Sequence, residues 1–150
     1  MIKVTVLGRA SAKPTAKSHP SAQVVNVNEQ YYLVDAGEGT QQQMFRMGIN
    51  PLKLRAVFIS HLHGDHCFGL MGLISTFGLL GRTAQLHIYA HADLEKLLQP
   101  QLDFFCKGMT YEVVFHNIDP TQAAVIYEDR SVTVTTIPLR HRIPSCGFLF

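Results

Sequence analysis

The stretch Ile59-Ser60-His61-Leu62-His63-Gly64-Asp65-His66-Cys67-Phe68-Gly69-Leu70 decides how the rest of the chain is read. Four potential metal ligands, His61, His63, Asp65 and His66, fall within six residues. They follow the apolar run Ala56-Val57-Phe58-Ile59 and precede a glycine-rich apolar segment, an order that predicts strand, turn and helix. Side chains alternate along a strand, so His61 and His63 project to one side and can share an ion. Gly64 permits a turn that brings Asp65 and His66 back toward the same pocket. Adjacent residues rarely chelate one tetrahedral ion comfortably, and imidazole with carboxylate suits zinc. The pattern therefore reads as two neighbouring metals served by alternating pairs. Metals roughly 4 Å apart clamp the oxygens of a displacement at phosphorus or at a carbonyl carbon, which is the chemistry of a dinuclear hydrolase.

Composition sets the frame for this site. A chain of 150 residues with 47% apolar and 16% charged residues is long enough for one domain with a real core. The formal charge of +2 does not by itself announce a nucleic-acid binder. Three scattered cysteines, Cys67, Cys106 and Cys146, without a C-x-x-C pair, point to reduced thiols and a cytoplasmic setting. Cys67 reads as a small buried hydrophobe beside the ligands. The start, Met1 to Gly8, reads as a first strand and not a signal peptide. The longest uncharged run, Cys67 to Gly81, is shorter than the ~20 residues a bilayer span needs, so no membrane partner is expected.

Working outward, Arg9 to Pro20 is a polar loop whose Lys13 and Lys17 either approach phosphates or are ordinary solvated cations. Gln23 to Val27 and Tyr31 to Val34 form a hairpin, followed by Asp35-Ala36-Gly37-Glu38-Gly39-Thr40 and a helix to about Met47. Asp35 and Glu38 stand at a strand's carboxyl end, where α/β sheets place ligands, and are read as orienting groups. For Glu38, charge complementarity at a helix start is an equal alternative. One apolar helix is expected from Asp65 to about Leu80. A short strand follows at Leu86 to Tyr89, then an amphipathic helix from Ala92 to about Phe105, broken or bent at Pro100. His87, His91 and His116 lie outside ligand-like spacing. Tyr111 to His116, Ala123 to Tyr127 and Ser131 to Leu139 read as strands. Continued alternation puts His141 on the side of Ile137 and Leu139, facing inward as a ligand candidate, with Arg140 and Arg142 facing away.

Taken together, Leu7-Gly8, the run Val34 to Gln41, the run Ile59 to Leu70, Pro138-Leu139-Arg140-His141 and Gly147-Phe148 resemble ribonuclease Z. That family comprises transfer-RNA 3′-processing endonucleases of the metallo-β-lactamase superfamily. The resemblance implies an α/β (α+β) αββα sandwich, of which residues 1–150 form the N-terminal half to two-thirds as a single domain truncated at its C-terminus. It implies that His61, His63 and His141 hold one zinc, that Asp65 and His66 belong to a second, and that Asp65 accepts a proton from the attacking water. It also implies a precursor transfer RNA substrate and removal of the 3′ trailer at a phosphodiester, while an apolar sheet face left uncovered by the missing half predicts self-association as a homodimer. The family pattern departs at Tyr89-Ala90-His91-Ala92, where a glycine-proline turn is usual, and it continues beyond Phe150 with further metal ligands and an RNA-gripping arm. Ligand counting then predicts about one zinc per 150-residue chain and weak or absent processing. A thioesterase or small-ester hydrolase on the same fold is the alternative enzyme, and a non-catalytic zinc-binding fragment is the alternative outside enzymes.

Overall fold

A tight hairpin starts the sheet. In the computed structural model, which describes residues 1–150, strand β2 (Ala22–Val27) turns through Asn28 and Glu29 into β3 (Gln30–Val34). Both turn residues have positive φ, 49° and 65°, the backbone twist that two-residue hairpins favour. The Asn26 side chain accepts the Glu29 N–H at 2.9 Å. Strand β1 (Ile2–Gly8) pairs antiparallel with β2, while β4 (Leu54–Phe58), β5 (Leu86–Ala90) and β6 (Val113–Asn117) add in parallel beyond β3. A six-stranded mixed sheet results, in the order β1-β2-β3-β4-β5-β6. A second sheet is an antiparallel meander of β7 (Val125–Glu128), β8 (Thr133–Leu139) and β9 (Ser145–Leu149).

Strand alternation divides the core in two. Val24, Leu33, Val57 and Ile88 face a helical layer, where they meet Leu70, Leu73, Ile74, Phe77, Leu94 and Leu98. These come from α3 (Leu70–Leu79) and α4 (Asp93–Phe105), and α1 (Thr40–Arg46) adds Met44. Val25, Tyr32, Ala56, Phe58 and Tyr89 face the small sheet, packing on Val132, Val134 and Cys146. Residues 1–150 thus form three layers, helices, large sheet and small sheet, and the outer face of the small sheet leaves Val125, Ile137, Leu139 and Leu149 exposed. No helix is long and apolar enough to cross a membrane.

Two expectations are corrected, and one element is new. The single helix from Asp65 to Leu80 is two pieces, α2 (Gly64–Cys67) and α3, separated at Phe68 and Gly69. At that break the Gly69 N–H donates to the Ala36 carbonyl at 2.8 Å, and a Cβ on Gly69 would lie 2.1 Å from the Gly37 carbonyl oxygen. Close backbone contact thus replaces one helical register with two. Helix α4 reaches Phe105 as expected but is not broken at Pro100. Residues Leu94, Leu98 and Leu102 bury one face of it, and that packing offsets the missing N–H. Strand β9, which its sequence did not announce, completes the small sheet by pairing with β8.

The two sheets are also joined by a polar knot. Asp129 accepts the hydroxyls of Tyr32, at 2.6 Å, and Tyr127, at 2.7 Å, and the backbone N–H groups of Ser131 and Val132. Burial would raise this carboxyl, but the two tyrosine hydroxyls and the two amides outweigh it and hold the carboxyl down at about 2. Because the folded value lies below the unfolded one of about 3.9, the stabilisation is complete above about pH 4 and is lost as pH falls through about 2. Asp129→Asn is therefore expected to cost about 2 kcal/mol at pH 7. Urea titrations of both proteins should show the difference shrinking steadily from pH 4 downward.

Candidate metal centre

The parallel register Val34↔Phe58 brings the carboxyl ends of β3 and β4 side by side, so Asp35 meets Ser60. Asp35 is 5% exposed and sits at positive φ, 59°. Its Oδ1 accepts the Ser60 N–H at 2.9 Å, and its Oδ2 accepts the hydroxyls of Ser60 at 3.1 Å and Ser21 at 3.2 Å. The same Oδ2 lies 2.6 Å from His66 Nδ1. A carboxylate there fixes the Nδ1–H tautomer and leaves Nε2 with its lone pair free, the arrangement that orients metal-binding imidazoles. Burial works against charging His66, and the hydrogen bond and charge of Asp35 outweigh it and raise its pKa.

Three rings converge in front of this pair. The donor atoms of His61, His63 and His141 all lie within 4.8 Å of one another. His61 Nε2 and His63 Nδ1 are 3.2 Å apart, close to the roughly 3.4 Å expected for two nitrogens on one tetrahedral zinc. Burial, followed by the neighbouring His66, lowers the His61 imidazole to about 4, so the ring is neutral at neutral pH and its lone pair is available. The donor set therefore fits a divalent metal ion. Asp65 and His66 stand beside it, with Asp65 Oδ2 at 3.5 Å from His66 Nε2. Asp65 Oδ2 also accepts the Ala12 N–H at 2.9 Å. Burial would raise the Asp65 carboxyl, but the Ala12 amide and His66 hold it below the ordinary range.

His141 reaches the cluster by a different route from the one its alternation implied. Ile137 and Leu139 point outward, 45% and 54% exposed, whereas Val134 and Thr136 are buried. Strand β8 ends at Leu139, and the turn before β9 carries His141 to the rings of His61 and His63. The Cys146 N–H donates to the Ser60 carbonyl at 3.0 Å, which ties β9 to the end of β4 and sets where that turn lies. Arg142, placed on the opposite side from sequence, lines the same pocket as the imidazoles.

Other candidates fall elsewhere. Glu38 is exposed, and its backbone carbonyl, not its carboxylate, meets His19 Nδ1 at 3.3 Å, so it orients nothing in the cluster. Lys13 and Lys17 are exposed on the loop, while Ser11 and Ala12 of that loop line the metal pocket. Ala12 has positive φ, 63°, a contribution no local sequence signal announces. His87 Nδ1 and His116 Nε2 pair with each other at 2.9 Å across β5 and β6. The three cysteines are unpaired, and burial, with Asp35 and Asp65 nearby, pushes the Cys67 thiol up to about 11.

A mixed sheet under helices, a second sheet behind it and a histidine-rich turn at the strand ends define a metallo-β-lactamase-fold protein. The human short-form tRNase Z (ELAC1) structure has the same arrangement, with TM-score 0.88 and 29% identity over 99% of this chain and 64% of that one. The chain belongs to the anti-Pycsar protein Apyc1 family, whose model it matches over residues 2–150. It is similar to "Ribonuclease Z" of Phocaeicola vulgatus, 61% identical over 99% of this chain and 48% of that protein. "Ribonuclease Z" of Bacteroides fragilis is 58% identical over 97% of this chain and 48% of that protein. The chain spans about half the length of the curated relatives it matches.

Asp35→Asn keeps the shape and tolerates the positive φ but loses the anionic anchor of His66. Calorimetric titration with a divalent metal should show affinity reduced about 10- to 100-fold, with the circular dichroism spectrum unchanged.

Proposed function

We propose that this chain carries the zinc-binding site of an endoribonuclease that removes the 3′ trailer from precursor transfer RNA. The observation that carries the proposal is the convergence of His61, His63 and His141 beside Asp65, in a chain 61% identical to a ribonuclease Z. We infer zinc from the three-imidazole donor set, at about one ion per chain, since Asp65 and His66 alone are too few to hold a second firmly.

When bound, zinc lowers the pKa of its water toward neutrality and draws charge from phosphate oxygens. The chain's own residues do the rest. Asp65 accepts the proton of the attacking water, a role supported by the Ala12 amide and His66, which keep it ionised. Asp35 keeps the His66 ring in one orientation. Ser60 does the same for His61, with its hydroxyl 3.0 Å from Nδ1. Arg142 supplies a guanidinium for the phosphodiester at the pocket rim. In-line attack of water on phosphorus forms a new P–O bond and breaks the P–O3′ bond, leaving a 3′-hydroxyl on the transfer RNA and a 5′-phosphate on the trailer. Lys13 and Lys17 lie on the same loop as Ala12, and phosphate contacts from them belong to this proposal.

The exposed apolar face of the small sheet supports self-association as a homodimer, and the unpaired cysteines fit a cytoplasmic setting. Elemental analysis is expected to return about one zinc per chain and almost none for His141→Ala. Trailer cleavage by the chain should be weak and should disappear in His61→Ala with the fold intact. Two tightly held zincs per chain, or a thioester cleaved in preference to precursor transfer RNA, would overturn the assignment.

A further inference from the structure

Phe68 is 70% exposed between α2 and α3, whereas Leu70, Leu73, Ile74 and Phe77 of α3 turn into the core. Its position is fixed on both sides. Cys67 Sγ donates to the His63 carbonyl at 3.4 Å, and the Gly69 N–H donates to the Ala36 carbonyl at 2.8 Å. The ring lies over Gly64, where a Cβ would stand 2.2 Å from it and push it aside. It lines a cleft of about 540 Å³ together with His61, His63, Asp65, His141 and Arg142.

An exposed phenyl ring held in place costs free energy unless something covers it, and this one is surrounded by metal-ligating imidazoles, a carboxylate and a guanidinium. An apolar protein anchor would leave those groups buried without partners. A nucleotide matches them all, because its base has a π-face for the ring and its phosphate carries charge for Arg142 and the metal centre. Single-stranded RNA is held in this way, by unstacked bases laid on aromatic side chains next to cationic groups.

We propose that Phe68 is a base-stacking platform for an unpaired nucleotide of the substrate, next to the phosphodiester at the metal centre. This inference rests on the ribonucleic-acid substrate proposed above and adds to it the place where a base is gripped. Stacking accepts any base, so the subsite fixes the position of the strand and not its sequence.

The test uses the zinc-loaded chain and a short single-stranded RNA carrying one 2-aminopurine, whose fluorescence falls on stacking, beside the same RNA with an abasic residue there. The native chain is expected to quench the 2-aminopurine and to bind the base-bearing RNA about tenfold more tightly than the abasic one. Phe68→Leu, which keeps apolar bulk on Gly64, should remove both the quenching and the preference. Phe68→Tyr should retain both. Unchanged quenching and preference in Phe68→Leu would overturn the proposal. Equal binding of the two RNAs by the native chain would overturn it while leaving the substrate assignment standing. No RNA binding at all would sink both. A change in sedimentation on Phe68→Leu with RNA binding unaltered would make the ring a protein contact and refute the stacking role.

Discussion

One buried carboxylate holds the site together. Asp35 takes hydrogen bonds from Ser21, Ser60 and His66, and so joins the segment before β2, the end of β4 and the turn of α2. A carboxylate removed from water is tolerable only when its lone pairs are all used, so these contacts stand or fall together. Parallel pairing of β3 with β4 sets Asp35 opposite Ser60, and the His66 ring is then oriented from behind. Metal-site geometry at this position is therefore a consequence of sheet register.

The second sheet performs a complementary task. Phe58 lies among Tyr89, Tyr127, Phe148 and Phe150, with ring centroids 5.1 to 5.9 Å away. This aromatic layer fixes the small sheet against the large one. The Asp129 knot and the Cys146 to Ser60 hydrogen bond add direction to a packing that apolar contact alone leaves free to slide. The turn between β8 and β9 is in consequence held over the end of β4, and His141 comes to rest beside His61 and His63. Each sheet thus delivers one part of the histidine cluster. The loop of residues 9–20 closes the remaining side through the Ala12 amide.

Much of this was legible in the residue order, because the decisive signals are local. The H-x-H-x-D-H run names its candidate ligands within one turn of chain, and the apolar runs on either side of Asn28 and Glu29 mark a hairpin. His141 was found as well, but on an argument about strand faces that the buried Val134 and Thr136 contradict. Its true position depends on where β8 stops, which is decided by the turn and by the pairing of β9. Helix α4 likewise continues past Pro100 because three leucines bury one face of it, a tertiary effect that outweighs a local preference.

The sequence by itself determined the first hairpin and the clustering of His61, His63, Asp65 and His66, since periodicity and ligand spacing act between neighbours along the chain. Only the tertiary structure decided that Ala12 meets Asp65 across 53 residues, that Arg142 turns into the pocket and that Glu38 stays outside it. Those outcomes depend on backbone amides and turns brought together by the packing of two sheets. A backbone amide is the same at every position but proline, so nothing in the residue order marks which one a distant carboxylate will meet.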